Sequence, residues 1–330
     1  MEDQKEKELV LVARKPCFGL PTACPSCLPV YLYLRFASLS FDMHFDTSNP
    51  DSDDIPYVEY GDYVAFDNEK GGVIANLKEY GIVDLDSKLP THSFPEWLST
   101  KAMVSSWLVD ATSYELWVGS DGSAADKIYF SDLPWPIGKV LHWKHTQIVK
   151  QRLGITKLNF EERTSEIYTK ADKAYEALSM KLGEHNFFFE NRPTSLDAIV
   201  LAHALFVLQA LDDTSILRSK LMHYDNLVRY AENLKMEFLL ASSSLSVPIS
   251  PHDPSTSSTP RRRASSFWSS KPKREPKREK TEEEKTFRRR GKYFLAAQAI
   301  SVLVFLSLLG GSDDAEVDID DEDDGLNYED

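Results

Sequence analysis

The spacing of apolar residues changes along the chain, and the first part follows the patterns of strands and short helices. The predicted elements are, in order, a strand at Leu9–Arg14, a buried helix at Cys27–Ala37, a strand at Phe41–Asp46, two strands within residues 55–68 and a helix at residues 71–81. In the second strand Phe41, Met43 and Phe45 alternate with polar residues, as expected when one face of a strand is buried. The order of elements predicts one α/β domain over residues 1–86.

From Leu98 onward the apolar residues follow helical spacing. Two long apolar faces are formed by Val104, Trp107, Leu108, Ala111 and Val118, and by Ile167, Ala171, Ala174, Leu178 and Leu182. Residues 192–211 predict a central buried helix, with Thr194 and Asp197 at the spacing of a capping box. A last helix is predicted at residues 225–241, which completes an all-helical domain over residues 87–241.

Residues 242–292 are rich in Ser, Pro, Lys and Arg and offer little that a core could bury. We expect a disordered basic tether. Within it Ser265 follows three arginines, as in many kinase targets, and a phosphate there would weaken the local basic charge. Exposed linkers also match this pattern by chance.

Charge is sorted around one apolar run near the C-terminus. The net charge is −14, yet residues 261–292 carry fourteen Lys or Arg against five Glu, and the residues from Asp313 onward carry eleven acids and no base. Between them lie residues 293–310, which as a helix would be about 27 Å long, close to the ~30 Å thickness of a hydrocarbon layer. We expect a transmembrane tail anchor rather than a buried core helix, because the residues after this run are almost all acidic or small.

The charge pattern also predicts a topology. Arg288, Arg289, Arg290 and Lys292 flank the apolar run and should stay in the cytosol, so that the acidic residues 311–330 cross the membrane. The first ten residues resemble neither a secretory signal nor an Arg-rich presequence. A total of three cysteines suits a reducing compartment. We therefore expect a single-pass protein with most of its chain in the cytosol.

Cys24 and Cys27 are the candidate reactive residues, and they admit two interpretations. At a helix N-terminus the dipole stabilises a thiolate, so this C-x-x-C pair is compatible with redox chemistry. Ala23, however, stands where thioredoxins usually carry a tryptophan. In the structural interpretation, Cys27 is a small buried residue and Cys24 is a partly exposed loop thiol. We favour the structural interpretation and assign no catalytic residue.

Several segments carry a family resemblance. They are CPSCLPVYLYLRF (24–36), GGVIANLKEYGIVDLD (71–86), WLVDATSYELWVG (107–119), FFFENRPTSLDA (187–198), HYDNLVRYAENL (223–234) and the terminal anchor. The whole resembles a glutathione transferase, with a thioredoxin-like N-terminal domain and an all-α C-terminal domain, and Ile55-Pro56 is similar to the cis-proline entrance of that fold's third strand. Most specifically, the chain resembles the plant type of the metaxin family, glutathione-transferase-like proteins anchored in the mitochondrial outer membrane.

This resemblance implies a function in protein import. A metaxin is expected to be a non-catalytic subunit of the outer-membrane import and β-barrel sorting and assembly machinery, with complex proteins and β-barrel precursors as partners. We expect neither a cofactor nor a nucleic-acid partner. The alternative is an enzyme, namely a membrane-tethered glutathione transferase or a thiol–disulfide oxidoreductase that uses Cys24.

A glutathione site would need more than a thiol. In transferases an acid followed by Ser or Thr, about a dozen residues after the cis-proline, closes a helix N-terminus around the γ-glutamyl carboxylate. Here the corresponding stretch is Asp67-Asn68-Glu69-Lys70-Gly71-Gly72. A second carboxylate in place of the hydroxyl would repel the ligand, although Asn68 or Lys70 would partly offset it. Glutathione binding is therefore not expected.

Two further residue classes are candidates for a site. The tryptophans of the helical domain's first part either line a groove for client proteins or belong to the core, and we favour the core; they are Trp97, Trp107, Trp117, Trp135 and Trp143. The histidines show no ligand spacing with acids or cysteines, so no metal is expected; they include His142, His145, His203 and His223.

Overall fold

A computed structural model describes residues 9–45, 54–189 and 191–240. Its sheet contains β1 (Leu9–Ala13), β2 (Asp42–Phe45), β3 (Tyr57–Tyr60) and β4 (Tyr63–Phe66), arranged in the order β2-β1-β3-β4. β1 pairs in parallel with β2 and antiparallel with β3, and β3 and β4 form an antiparallel hairpin. The apolar run of β1 thus becomes a central strand that is buried almost completely.

The edge strand β2 departs from the expected alternation. Phe41 and Met43 pack against the core, but Phe45 is 42% exposed. β2 pairs with β1 on one side only, and Phe45 is its last residue. The predicted strand is therefore confirmed, but Phe45 at its end is not buried with Phe41 and Met43.

Two helices cover the sheet. Helix α1 (Cys27–Phe36) connects β1 to β2, and almost all of its residues are buried because it also packs on the central helix of the helical part. Helix α2 (Gly72–Glu79) follows β4 and buries Val73 and Leu77. Gly71 caps the helix and Gly72 is its first residue; their φ angles of 86° and 69° lie in a region that glycine adopts without strain. These two glycines allow the chain to turn sharply from β4 into α2.

The helical part begins with short segments. They are α3 (Phe94–Met103), α4 (Val109–Tyr114) and α5 (Ser123–Ala125), joined and followed by the π-helical turns Val104–Leu108, Glu115–Gly119 and Asp126–Phe130. A π turn holds one more residue than an α turn and shifts the phase of the apolar face. Accordingly Val104, Leu108 and Ala111 are buried, whereas Trp107 and Val118 are only partly buried.

Longer helices complete the described part. They are α6 (Trp135–Arg152), α7 (Phe160–Leu182), α8 (Ser195–Ala210), α9 (Ile216–Met222) and α10 (Asp225–Lys235), with a final π turn at Met236–Leu240. Helix α7 ends at Gly183, which has a φ of 52°. Helix α8 is apolar nearly all round, occupies the centre and is the helix on which α1 packs.

A polar joint links the α/β part to the helical part. The Asp86 carboxylate accepts hydrogen bonds from the Ser195 backbone N–H (2.8 Å) and hydroxyl (2.6 Å), at the first residue of α8. Lys78 of α2 forms an ion pair with the same carboxylate. A carboxylate at a helix N-terminus is stabilised by the helix dipole. Two of the segments that carry the family resemblance, residues 71–86 and 187–198, are therefore in direct contact.

The C-terminal predictions concern residues outside those described. They are the tether at residues 242–292 with Ser265, the basic flank Arg288, Arg289, Arg290 and Lys292, the apolar run at 293–310 and the acidic residues 311–330. Among the helices of residues 9–240 that are described, none combines the length and the apolar character that a bilayer crossing requires.

Candidate functional site

A cavity of about 520 Å³ lies between the α/β part and the helical part. Its polar lining includes Arg14 after β1, Cys24 and Ser26 before α1, and Asp67 after β4. The remaining lining is mostly apolar and comes from helical residues, among them Leu108, Leu116, Trp117, Ile148, Val149, Ile199 and Phe206. The chain thus holds a thiol, a carboxylate and a guanidinium at the mouth of an apolar chamber.

The sulfur of Cys24 is surrounded by hydrogen-bond donors. The Ser26 hydroxyl lies 3.2 Å from it and the Tyr129 hydroxyl 3.5 Å. The thiol and the backbone N–H of Cys27 also donate to it. Ser26 is the N-cap residue of α1 but makes no capping bond with its side chain, because its hydroxyl is directed to the sulfur instead. Four donors from two parts of the fold therefore converge on one atom.

These donors stabilise a thiolate. Hydrogen bonding, first from Cys27, lowers the pKa of Cys24 to about 5 even though burial acts in the opposite direction. Burial raises the pKa of Cys27 well above its usual value, and its bond to Cys24 adds to this effect. The opposite shifts of the two pKa values favour a proton on Cys27 and a negative charge on Cys24.

The position of Cys24 corrects part of the structural interpretation. Cys24 is 2% exposed and Cys27 is fully buried, so Cys27 is the small core residue that the sequence predicts, whereas Cys24 is not a partly exposed loop thiol. The sequence places Cys24 in a loop, but Tyr129 and the helices around the cavity cover it. Tyr129 lies 105 positions further along the chain, and no local pattern indicates this contact.

Arg14 is a second residue that the sequence patterns do not single out. It directly follows β1, is buried, and lies with its guanidinium 5.4 Å from the centre of the Tyr129 ring. Its positive charge favours ionisation of Cys27 and Tyr129. A buried arginine near two sulfurs and a phenol makes this end of the cavity electropositive enough to hold one negative charge.

Asp67 provides the acidic group of the site. Its carboxylate accepts a hydrogen bond from the Val73 N–H in the first turn of α2. Burial, and secondly the negative charge of Cys24, raise the pKa of Asp67 to about 6. The backbone N–H of Asp67 is bonded to the Pro56 carbonyl at 3.1 Å, beside the cis peptide Ile55-Pro56. The carboxylate thus lies at the first turn of α2 and faces the cavity.

The neighbouring polar residues face elsewhere. The Asn68 amide donates to Asp54 at 2.6 Å, and the Glu69 carboxylate accepts from Asn76 at 2.7 Å. The carboxylate that faces the cavity is therefore Asp67, and neither Asn68 nor Glu69 belongs to the lining. An incoming carboxylate would meet the Asp67 charge at the N-terminus of α2.

The histidines have structural partners. His203 lines the cavity, and its ring nitrogens are bonded to Tyr175 (2.7 Å) and Thr112 (3.0 Å). Burial lowers the pKa of His203 to about 3, so it is neutral at physiological pH. His142 lies 3.1 Å from Asp126, and His145 stacks on Trp117. Within the described ranges no group of His, Cys, Asp and Glu has an arrangement that could hold a metal ion.

The tryptophans do not form one groove. Trp97 and Trp117 are buried, Trp107 is partly buried, and Trp143 is 37% exposed. Trp117 lines the cavity and contacts Tyr129, with ring centroids 5.3 Å apart. The side chain of Trp135 lies outside the described residues. Core packing therefore accounts for two of these side chains, and a common client groove is not formed by the described ones.

Thr194 and Asp197 lie at the start of α8, away from the cavity lining. They form a capping box. The Asp197 carboxylate accepts from the Thr194 N–H (2.9 Å) and hydroxyl (2.7 Å), from the Phe188 N–H (3.0 Å) and from the Tyr230 hydroxyl (3.2 Å). Asp197 thereby joins the segment at residues 187–198 to α10.

Comparisons with known proteins bear on this scaffold. A family model described as the glutathione S-transferase N-terminal domain matches residues 25–122, and one described as the glutathione S-transferase C-terminal domain matches residues 171–234. A solved glutathione S-transferase of Ceriporiopsis subvermispora, in complex with glutathione, is 12% identical with a TM-score of 0.47, covering 74% of this chain and 100% of that one.

Curated relatives match over a larger share of the chain. The "Mitochondrial outer membrane import complex protein METAXIN" of Arabidopsis thaliana is 54% identical over 322 residues, which cover 98% of this chain and 99% of the relative. Metaxin-3 of Danio rerio is 26% identical, over 72% of this chain and 80% of its own length. With more than half of its residues identical to one metaxin along nearly the full length, this chain belongs to the metaxin family.

Proposed function

We propose that this protein is a non-catalytic subunit of the protein import machinery of the mitochondrial outer membrane. The name of the Arabidopsis relative supports this role. The observation in the structure that carries the proposal is the stretch after Asp67, where transferases carry a Ser or Thr hydroxyl. Here Asn68 donates to Asp54, Glu69 accepts from Asn76, and neither lines the cavity. A transferase-like scaffold without that hydroxyl lacks a donor for the γ-glutamyl carboxylate, which favours a role in binding other proteins over glutathione conjugation.

The electrostatics of the cavity support this interpretation. The N-terminus of a helix attracts an anion through its free N–H groups and its dipole. In α2 the Val73 N–H is already bonded to Asp67. Among the charged groups of the lining, Asp67 and the Cys24 thiolate disfavour a peptide carboxylate, whereas Arg14 favours one. Without the hydroxyl that would receive its carboxylate, glutathione is expected to bind weakly.

The finer features of the proposal depend on the sequence beyond residue 240. Residues 293–310 would anchor the protein as a single-pass tail anchor, with Arg288, Arg289, Arg290 and Lys292 on the cytosolic side. The acidic residues 311–330 would then lie in the intermembrane space, and the transferase-like body in the cytosol. There the body would act with other subunits in sorting and assembling β-barrel precursors.

An import assay tests the proposed role. Mitochondria would be prepared from cells that lack their own metaxin and express either this full chain or a version ending at residue 292. The full chain should restore assembly of a β-barrel precursor, whereas the shortened chain should not remain on the membrane. Import of a matrix precursor serves as the control. Equal β-barrel assembly with and without the full chain would contradict the proposal.

The anchor is tested separately. Residues 286–330 fused to a fluorescent protein should locate to mitochondria, and neutralising Arg288, Arg289, Arg290 and Lys292 should divert a large part of the fusion to the endoplasmic reticulum. External protease should remove the body of the full chain from intact mitochondria and leave a protected acidic fragment. A fusion that stays on the endoplasmic reticulum with its basic flank intact would contradict the mitochondrial assignment.

A thiol-dependent enzyme is the second candidate function, and the four donors around Cys24 favour it. The import subunit and the enzyme are distinguished by whether the protein catalyses repeated reaction cycles. An enzyme would reduce a glutathione mixed disulfide repeatedly at the expense of glutathione, and it would be retained on immobilised glutathione. We expect neither result, because Asn68 and Glu69 follow Asp67 where transferases carry the hydroxyl that binds the γ-glutamyl carboxylate. Multiple turnovers that disappear in Cys24→Ser would favour the enzyme instead.

A further inference from the structure

The Cys24–Cys27 pair has the arrangement of a nucleophilic thiolate and a resolving thiol. Cys24 lines the cavity, whereas Cys27 lies behind it in the first turn of α1 and is fully buried. The Cys27 thiol donates a hydrogen bond to the Cys24 sulfur. A small molecule that enters the cavity therefore meets Cys24 first, and Cys27 is within reach of whatever forms on it.

The surroundings keep Cys24 ionised. The donors Ser26, Tyr129 and Cys27 lower its pKa to about 5, and thiolates are the reactive form of cysteine. The charged and titratable groups beside the pair come from three elements: Arg14 follows β1, Asp67 follows β4, and Tyr129 lies in the π turn Asp126–Phe130. Arg14 favours the thiolate charge, and Asp67 disfavours it once ionised.

The third cysteine provides an internal comparison. Cys17 is only partly buried, yet burial raises its pKa and the nearby Cys24 charge adds to this effect. The sulfur of Cys24 contacts Ser26 and Tyr129, and its negative charge disfavours a second thiolate at Cys17. Access alone would thus favour reaction at Cys17, whereas ionisation favours Cys24.

We propose that Cys24 is a site of oxidation by hydrogen peroxide and that Cys27 resolves the product into an intramolecular disulfide. The Cys24 thiolate attacks one peroxide oxygen, the O–O bond breaks, and the leaving hydroxide takes a proton from solvent to become water. Cys24 is then a sulfenic acid. The Cys27 sulfur attacks Cys24, the S–O bond breaks, and the hydroxide leaves with the Cys27 proton as a second water. Two electrons pass from the two thiols to one peroxide.

This oxidation is a modification of the protein and goes beyond the proposed import function, on which it does not depend. Disulfide formation removes the negative charge from the mouth of the cavity. The repulsion that helps to raise the pKa of Asp67 would then be lost, so Asp67 would ionise more readily. Tyr129 would lose its charged acceptor at the same time. The redox state of the pair therefore sets the charge of the cavity between the two parts of the fold.

The experiment uses the full chain in detergent, reduced and then exposed to hydrogen peroxide. Free thiols are blocked, and chymotrypsin is used because cleavage after Phe18 separates Cys17 from the pair. Mass spectrometry should find the peptide with Cys24 and Cys27 lighter by about 2 Da and unblocked, as one disulfide requires. Iodoacetamide at about pH 6 should modify Cys24 at least about ten-fold faster than Cys17.

Variants separate the two steps. Cys17→Ser is the matched control and should form the disulfide normally, whereas Cys24→Ser should not react with peroxide. Cys27→Ala removes the first cause of the lowered Cys24 pKa, so Cys24 should react more slowly but stop at the sulfenic acid, which dimedone traps. The alanine leaves no unpaired polar group in the core. A melting curve checks that each variant is folded. No disulfide in the folded wild type, or iodoacetamide labelling of Cys17 as fast as that of Cys24, would overturn the proposal.

Discussion

Asp197 lies in the first turn of α8, whereas Asp67 follows β4 with its carboxylate bonded to the first turn of α2; burial raises the pKa of each to about 6. Their surroundings differ. Asp197 is fully buried and accepts four hydrogen bonds at 2.7–3.2 Å. Asp67 is partly exposed, accepts one from Val73, and faces the thiolate of Cys24. Burial is thus the first cause of both raised pKa values, but hydrogen bonds oppose it at Asp197 and the Cys24 charge adds to it at Asp67.

The difference separates a structural acid, Asp197, which holds a helix start in place, from a site acid, Asp67, which lines the cavity. At Asp197 the cost of burial is opposed by hydrogen bonds from Thr194, Phe188 and Tyr230, which fix the start of α8 against α10. At Asp67 the second cause of the raised pKa is another negative group in the same cavity. Perturbed pKa values alone do not mark a functional site, because structural networks shift them equally. The neighbouring charge and the cavity distinguish Asp67.

Alanine in place of each acid should give the largest contrast. Asp197→Ala leaves buried donors without an acceptor and should lower the free energy of unfolding by on the order of 3 kcal/mol. Asp67→Ala removes one bond at the start of α2 and should lower it by about 1 kcal/mol. Urea unfolding measures both in the same full-length background. Equal losses would mean that Asp197 is not the centre of a buried network.

The second contrast is in pH dependence. The folded pKa of Asp197 is about 6 against an ordinary value of 3.8, so the folded state binds this proton more tightly. Its contribution to stability is present below the unfolded pKa and is lost as pH rises through about 6. Relative to Asp197→Asn, which cannot titrate, the wild type should lose at most about 1.4 kcal/mol per pH unit between these values.

Unfolding measured at several pH values tests this slope. Asparagine also lowers the free energy of unfolding because its amide group faces the Thr194 donors. This loss is the same at every pH and therefore does not change the slope. Asp67→Asn provides the matched comparison and should show its slope over a narrower pH range, because solvent screens the partly exposed Asp67. A wild type and an Asp197→Asn variant with parallel pH curves would show that Asp197 ionises normally in the folded chain.

The sequence predicts the structural acid far better than the site acid. Thr194 and Asp197 are three residues apart at the start of an apolar helix, and a local motif of this kind is visible in the sequence. The order of strands and the end of α7 at Gly183 are local in the same sense. The glutathione-transferase-like fold follows from them, together with the family resemblance.

The site depends on contacts that are distant along the chain. Cys24 meets Tyr129 across 105 positions, and Asp86 meets Ser195 across 109. Neither contact has a periodic signal, and Arg14 looks like the end of a strand. The C-x-x-C spacing identifies the pair, but its burial and its donors arise from packing between the two parts of the fold. Sequence patterns therefore reveal the thiols and misjudge their surroundings.

The smallest expected effect is at the cavity, where it sharpens the comparison most. Asp67→Asn keeps the size of the side chain and removes its charge, which repels the Cys24 thiolate above about pH 6. The midpoint of Cys24 alkylation against pH should therefore fall only slightly, because Cys24 ionises near pH 5, where Asp67 is still largely protonated. Asp197→Asn is the control and should leave that midpoint unchanged, since Asp197 lies outside the cavity lining. A higher midpoint in Asp67→Asn would mean that Asp67 orients the donors of Cys24 rather than opposing its charge, and the two acids would then both be structural.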